Sequence, residues 1–116
     1  MGNPISHWEL MVNDVAKSIT FYSIVFDWEF DVDSHPDYPL ISTGKEPGGG
    51  VFAKPAQAPM CSLNTYFDVE DVDATLAKAT AAGASVIAPK TAMPGGGHWA
   101  MFADPDGIPV GIMQTE

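Results

Sequence analysis

The sequence predicts an α+β fold in which two tandem βαβββ modules occupy one chain of 116 residues. Strand-like alternation changes to helical spacing twice along the chain, and several strand-like segments follow each time. The transition recurs 57 positions apart, from Val-Asn-Asp-Val at 12–15 to Val-Glu-Asp-Val at 69–72. Hydrophobic residues make up 46% and charged residues 17%, which is the composition of a folded globular protein. We therefore expect a single domain, 1–116, built from module one at about 4–58 and module two at about 62–116.

The first module opens with the alternating segment ISHWELMV at residues 5–12. Successive side chains of a strand point to opposite faces, so His7 and Glu9 share one face. Trp8 and Leu10 lie on the other face, which is apolar enough to pack under a helix. A histidine and a glutamate side by side on a strand indicate a metal site or the polar wall of a pocket.

A helix and three strands are predicted to follow in module one. Asn13 or Asp14 offers an N-cap oxygen to the free amides of a helix start. Apolar residues then recur at helical spacing and form one buried stripe. That stripe consists of Val15, Ile19, Tyr22 and Phe26. The three strands are expected in WEFDVD, YPLIST and VFAKP, with SHPD as a turn between the first two.

The second module repeats this plan. LNTYFDV places Asn64 and Tyr66 on one face of a strand and Phe67 on the other. An alanine-rich helix follows, with Asp71 as its cap and Gly83 as its stop. Strands are expected in SVIAP, HWAMFA and PVGIMQ, with DPDG as a type I turn before the last one.

Two PGGG segments, at 47–50 and 94–97, occupy different points of the two modules. A glycine triple without a following lysine and helix start is no phosphate loop. We expect both copies to form flexible turns or rim loops of a pocket.

The charge balance restricts the partners. Fifteen acidic against five basic residues give a net charge of −10, which disfavours nucleic acid and anionic membranes because phosphates could not be neutralised. Cys61 is the single cysteine, so no intrachain disulfide can form. No apolar run approaches the ~20 residues that span a bilayer, and no signal pattern opens the chain. A cytoplasmic protein is the expectation.

The order of these segments resembles the vicinal-oxygen-chelate superfamily of glyoxalases, bleomycin-resistance proteins and extradiol dioxygenases. The resemblance lies in the strand–ND–helix–FYSIVFDW pattern and in the terminal FADPDG before the last strand, and it covers nearly the whole chain. It is strongest to the short glyoxalase-like branch. It implies a curled, cup-like mixed sheet with helices outside and a small-molecule ligand inside, and by analogy a homodimer.

The resemblance also implies where metal ligands would stand, on the first and last strands of each module. His7 is a valid ligand at the first such position, but Asn64 stands where active relatives commonly have histidine. Gly111 stands where they have glutamate, and the last-strand position of module one falls near Val51. Zinc and non-haem iron sites require more donors than this, so the metal site is expected to be degenerate.

Other residues offer a different ligand set and a pocket wall. His7, Glu9 and His98 would make two imidazoles and one carboxylate, and a divalent metal stays open on that basis. His35, in the SHPD turn, is expected to be exposed. The predicted pocket comprises His7, Glu9, Asn64, Tyr66, Trp99 and Gly111, whereas Trp8 is expected to pack under a helix and Trp28 to cap the core or meet a partner subunit.

The functional prediction is a glyoxalase- or bleomycin-resistance-like protein that binds a small molecule and needs no metal. The alternative is a metal-dependent lyase, isomerase or dioxygenase of the lactoylglutathione lyase type. A third hypothesis is an accessory interaction domain. The residues identify neither a catalytic group nor a ligand.

Overall fold

The computed structural model describes residues 2–115 and contains a βαβββ order that occurs twice. The α+β class and the paired βαβββ plan are therefore confirmed. The elements of the first repeat are β1 (Ile5–Val12), α1 (Val15–Phe26), β2 (Glu29–Asp31), β3 (Leu40–Ser42) and β4 (Gly49–Ala53). Those of the second repeat are β5 (Ser62–Asp68), α2 (Val72–Ala81), β6 (Ser85–Ala92), β7 (His98–Ala103) and β8 (Pro109–Gln114).

Residues 7–64 form one compact unit. Its strands lie in the order β2-β3-β4-β1, with β1 and β4 parallel and the other pairs antiparallel. Because parallel neighbours need a crossover, the chain returns to the sheet through α1. The core under this helix is built from Leu10, Ile41 and the fully buried Val51. Partly buried Trp8, Val12, Val15, Ile19, Tyr22, Trp28 and Phe30 pack against it, as the strand phase predicted for Trp8.

Residues 65–115 form a second compact unit together with residues 2–6. The strand order is β5-β8-β7-β6, and the one parallel pair is again that of the first and last strands. The core consists of Val69, Val72, Ala100 and Ile112, with Leu76 and Phe102 packed against it. The same permutation in both units is the topological expression of the repeat that the sequence shows.

Aspartates begin both helices. The Asp14 carboxylate accepts a hydrogen bond from the backbone N–H of Lys17 at 3.0 Å, and Asp71 caps Ala74 in the same way at 3.0 Å. These bonds satisfy amides that have no partner inside the helix. Of the two N-cap candidates in module one, Asp14 therefore takes the role. Gly83 follows the end of α2 with φ +108°, as expected for a helix stop.

The two glycine triples differ, and the prediction for the first is wrong. Gly49 and Gly50 are buried within strand β4, whereas Gly95 and Gly96 form a turn with positive φ as expected. The first triple is constrained by close packing, since a Cβ at Gly49 would lie 2.6 Å from the Trp8 indole. Strand pairing, which the local sequence does not encode, decided this outcome.

No helix within residues 2–115 is long and apolar enough to cross a membrane.

Candidate functional site

The candidate site lies in the unit of residues 7–64, and Tyr38 is at its centre. Strand β1 places His7 and Glu9 on the same face, as alternation predicts. The Tyr38 hydroxyl lies between them, 2.8 Å from His7 Nε2 and 2.8 Å from Glu9 Oε1. The two residues that the sequence singled out are therefore bridged by a third, from the segment just before β3.

Asn64 extends the network on the other side of Glu9. Its amide Nδ2 donates to Glu9 Oε2 at 3.3 Å, and Ser62 Oγ donates to Asn64 Oδ1 at 3.2 Å. Glu9 is 6% exposed and Asn64 is 7% exposed. A buried carboxylate is costly unless it is hydrogen-bonded, and here each carboxylate oxygen accepts a bond.

The proton positions in this network follow from the single proton of a phenol. Tyr38 donates that proton to Glu9 Oε1, so its oxygen acts as acceptor towards His7. His7 consequently donates through Nε2–H. The arrangement is a directed relay in which the imidazole donates to the phenol and the phenol to the carboxylate.

Burial lowers the pKa of His7 below its ordinary value of 6.5, and the negative charge of Glu9 opposes this shift. Desolvation is the larger of the two effects, because it penalises the imidazolium form. The neutral imidazole is therefore favoured at neutral pH.

Gly50 makes room for Tyr38. Strand pairing sets Gly50 beside Glu9, and a Cβ at Gly50 would overlap the Tyr38 ring. The ring also stacks on Phe52, with centroids 5.6 Å apart, and lies nearly parallel to the His7 imidazole at 6.2 Å. The last-strand position of module one, expected near Val51, is held on the Glu9 face by Gly50, because Val51 pairs with Leu10 in the core.

The second unit holds an analogous tyrosine–glycine pair. Tyr66 on β5 is 5% exposed and pairs with Gly111 on β8, where a Cβ would overlap the Tyr66 ring. Trp99 on β7 meets Tyr66 edge-on, with centroids 6.3 Å apart and planes at 82°. The structure thus brings Tyr66, Trp99 and Gly111 together.

His98 lies on a different face from Trp99. The two residues are adjacent on β7, and Ala100 and Phe102, which share the phase of His98, belong to the core beside α2. His35 is exposed in its turn, as expected. Trp28 stacks on Tyr22 at 5.1 Å and lies 4.9 Å from Trp8, so it covers the core of its own unit.

The residues present do not fit a metal centre of the kind the resemblance implies. The network with Tyr38 and Asn64 already engages His7 Nε2 and both Glu9 carboxylate oxygens. Asn64 Oδ1 accepts a hydrogen bond from Ser62 Oγ. Gly50 and Gly111 carry no donor. Across residues 2–115 no three His, Cys, Asp or Glu side chains are grouped to hold a metal ion.

Tyr38 is the site residue that sequence reasoning missed. The expected strand YPLIST begins with it, but β3 begins only at Leu40, so strand alternation does not fix the direction of its side chain. No local sequence signal points to it. The burial of Glu9, which requires donors, and the position of Gly50 beside Glu9, which leaves room for a bulky neighbour, are known only from the folded structure.

Two shallow hollows in the same unit lie away from this network. One, of about 250 Å³, is lined by residues 29–31 and 40–42, and the other, of about 240 Å³, by residues around the β3–β4 turn. Neither is lined by His7, Glu9 or Tyr38. The hydrogen-bonded network, and neither of these hollows, marks the candidate site.

The repeated βαβββ topology and the polar residues on the first strand of each unit define a class of duplicated α+β proteins. Residues 4–112 match the sequence profile of the Glyoxalase/Bleomycin resistance protein/Dioxygenase superfamily. The chain belongs to this family.

Curated relatives carry glyoxylase descriptions. The putative glyoxylase CFP32 of Mycobacterium tuberculosis, like that of Mycobacterium bovis, is 29% identical over 109 residues, which are 91% of this chain and 42% of the relative. A glyoxylase-like domain-containing protein of Didymella fabae is 30% identical over 86 residues, which are 68% of this chain and 67% of that protein. The chain thus spans less than half the length of the mycobacterial relatives.

Solved structures share the fold at low identity. The Mn(II)-bound glyoxalase from Novosphingobium aromaticivorans aligns with a TM-score of 0.68 and 21% identity, over 95% of this chain and 38% of that one. Methylmalonyl-CoA epimerase from Mycobacterium tuberculosis aligns with a TM-score of 0.69 and 11% identity, over 97% of this chain and 87% of the epimerase chain. These likenesses show the fold, which hosts different chemistries.

Proposed function

We propose that this protein binds a small organic molecule against the face of β1 that carries His7 and Glu9, and that binding requires no metal ion. The observation that carries the proposal is the relay from His7 through Tyr38 to Glu9, with distances of 2.8 Å at both steps. The relay engages His7 Nε2 and Glu9 Oε1, which are atoms that a metal ion would need as ligands. His7 and Tyr38 are half-buried, so a ligand can reach part of each side chain. In the other unit, Tyr66, Trp99 and Gly111 are proposed as ligand contacts in their own right.

Charge and ring geometry favour one class of ligand. The chain carries −10, and the site contains the Glu9 carboxylate, so anions are repelled. The planes of His7 and Phe52 each lie 23° from that of Tyr38, which suits a flat molecule. We therefore infer a neutral or cationic planar compound.

The test is a thermal-shift screen of the dialysed protein against aromatic and thiol metabolites. Benzamide, benzamidine and benzoate serve as probes of equal size and different charge. Stabilisation by benzamide or benzamidine and none by benzoate is expected. For a hit, Glu9→Gln should weaken Kd at least roughly 10-fold, because the Glu9 carboxylate accepts the Tyr38 proton and thereby orients the Tyr38 and His7 groups that meet the ligand. The exposed variant His35→Gln should bind like wild type. Benzoate as the preferred probe, or equal loss in both variants, would contradict the proposal.

The fold relationship to a manganese glyoxalase keeps metal-dependent lyase, isomerase or dioxygenase chemistry as the competing function. Metal analysis after metal-supplemented expression separates the two. Metal below about 0.1 mole per mole is expected, since a multidentate site would retain its ion through purification. Stoichiometric metal that is lost in His7→Gln would favour the competing function.

We further propose that the protein is a homodimer and acts in the cytoplasm. Cys61 is exposed and is the only cysteine of the sequence, which suits a reducing compartment. Fractionation of cells that produce the protein would test the location.

A further inference from the structure

Helix α1 exposes a second apolar face in addition to the one that it buries. Phe21, Ile24 and Val25 are 56%, 76% and 49% exposed, respectively. Spacings of three and four residues make these side chains neighbours on the helix surface. We call Phe21, Ile24 and Val25 the α1 outer face. A helix that is apolar on both sides is typical of one covered on both sides.

The matched helix of the second unit shows that the fold does not require such a face. The 57-residue offset pairs Phe21 with Lys78 and Ile24 with Ala81. Both of these α2 residues are exposed, and α2 is covered on one side only by its core. The same topology thus forms with a polar or small outer face, so the apolar side chains of α1 serve another purpose.

We infer that the α1 outer face is the surface through which two copies of this chain associate, with their α1 helices antiparallel about a two-fold axis near Tyr22. This inference names the surface of the homodimer proposed above. A two-fold interface must be self-complementary. Lys17 and Asp27 are exposed and lie equally far on either side of Tyr22. Antiparallel pairing therefore sets Lys17 of one copy opposite Asp27 of the second copy.

The charges on α1 agree with self-pairing. Residues 15–26 contain no acidic side chain, although the chain has 15 acids in all. Neither Lys17 nor Asp27 takes part in an ion pair within residues 2–115. Both charges are thus available to a second copy, and residues 15–26 present no acidic side chain that would repel it.

The size of the face sets the expected affinity. Aromatic side chains bury 150–250 Å² each, so half-exposed Phe21 and Phe26, together with the smaller Ile24 and Val25, offer on the order of 400 Å² per copy. A standard-size interface buries about 800 Å² per partner. A reversible dimer with Kd of roughly 1–100 µM is therefore expected.

Sedimentation velocity of the full chain over roughly 1–500 µM tests the inference. Wild type should pass from monomer to dimer, and Ile24→Lys should weaken the dimer at least about 10-fold. Ala81→Lys places the same residue at the matched position of α2 and should dimerise like wild type. Circular dichroism confirms that each variant is folded.

Different failures of this test have different meanings. A wild-type chain that stays monomeric at all concentrations would overturn both the homodimer and its surface. A dimer that persists in Ile24→Lys would overturn only the surface. Lys17→Glu should also weaken the dimer, and an unchanged Kd would refute the antiparallel arrangement. Ligand binding, measured in the Ile24→Lys monomer, is expected to persist and is judged separately.

Discussion

Replacement of Tyr38 by phenylalanine should remove the relay and leave the packing in place. The phenyl ring keeps its stacking on Phe52 and its fit over Gly50. The hydroxyl that is removed donates a hydrogen bond to Glu9, which is 6% exposed, and accepts one from half-buried His7. A hydrogen bond to a charged group contributes about 1.5–3 kcal/mol. The hydrogen bond between Tyr38 and His7 adds about 1 kcal/mol. Water can reach half-buried His7 and replace part of the lost hydrogen bonding, which reduces the total.

We therefore expect Tyr38→Phe to lower the free energy of unfolding by about 2–3 kcal/mol. For a domain of this size that corresponds to a fall in Tm of roughly 10 °C. Urea unfolding followed by tryptophan fluorescence measures the change as a lower midpoint at constant m value.

The matched control is Tyr22→Phe in the same unit. Tyr22 stacks on Trp28 at 5.1 Å, and its hydroxyl makes no hydrogen bond within the part of the chain that the structure describes. Its removal should cost less than about 0.5 kcal/mol. Equal destabilisation by the two variants would refute the central role of Tyr38, because the effect would then come from loss of any phenolic hydroxyl.

Two further predictions concern the same unit. Gly50→Ala should destabilise the fold by about 1–3 kcal/mol in urea unfolding, because the new Cβ overlaps the Tyr38 ring. The control Gly2→Ala should have no effect, because nothing lies within 4 Å of its Cβ. Equal urea midpoints for the two variants would contradict the close packing at Gly50. The lowered pKa of His7 predicts a pH-dependent stability. Below pH 6.5, His7 binds a proton in the unfolded chain but not in the folded protein, until the pH reaches the lowered folded pKa. Stability should be full above pH 6.5, fall as the pH drops from 6.5 towards the lowered folded pKa, and level off below that pKa. His7→Gln should show a shallower fall, and parallel curves for the two proteins would be the contrary result.

Local sequence signals were sufficient for the repeated architecture. The change from alternation to helical spacing at Asp14 and Asp71 depends on neighbouring residues alone, and the structure places a helix cap at each. The pairing of His7 with Glu9 on one face follows from the two-residue period of a strand. The family match over residues 4–112 agrees with the segment order.

The contacts that make the site depend on residues distant in sequence. Tyr38 reaches Glu9 across 29 positions and Asn64 reaches it across 55, and no periodicity encodes such contacts. Gly50 was predicted to lie in a loop, because a glycine triple signals a turn locally, yet pairing with β1 placed it in a strand.

The sequence by itself determined the α+β class, the duplication, the helix starts and the faces of β1, because each depends on neighbouring residues and on strand or helix period. Only the tertiary structure decided that Tyr38 joins His7 to Glu9 and that glycines beside Glu9 and Tyr66 leave space for tyrosine rings. Strand register and side-chain packing are long-range properties, and they exist once the chain has folded.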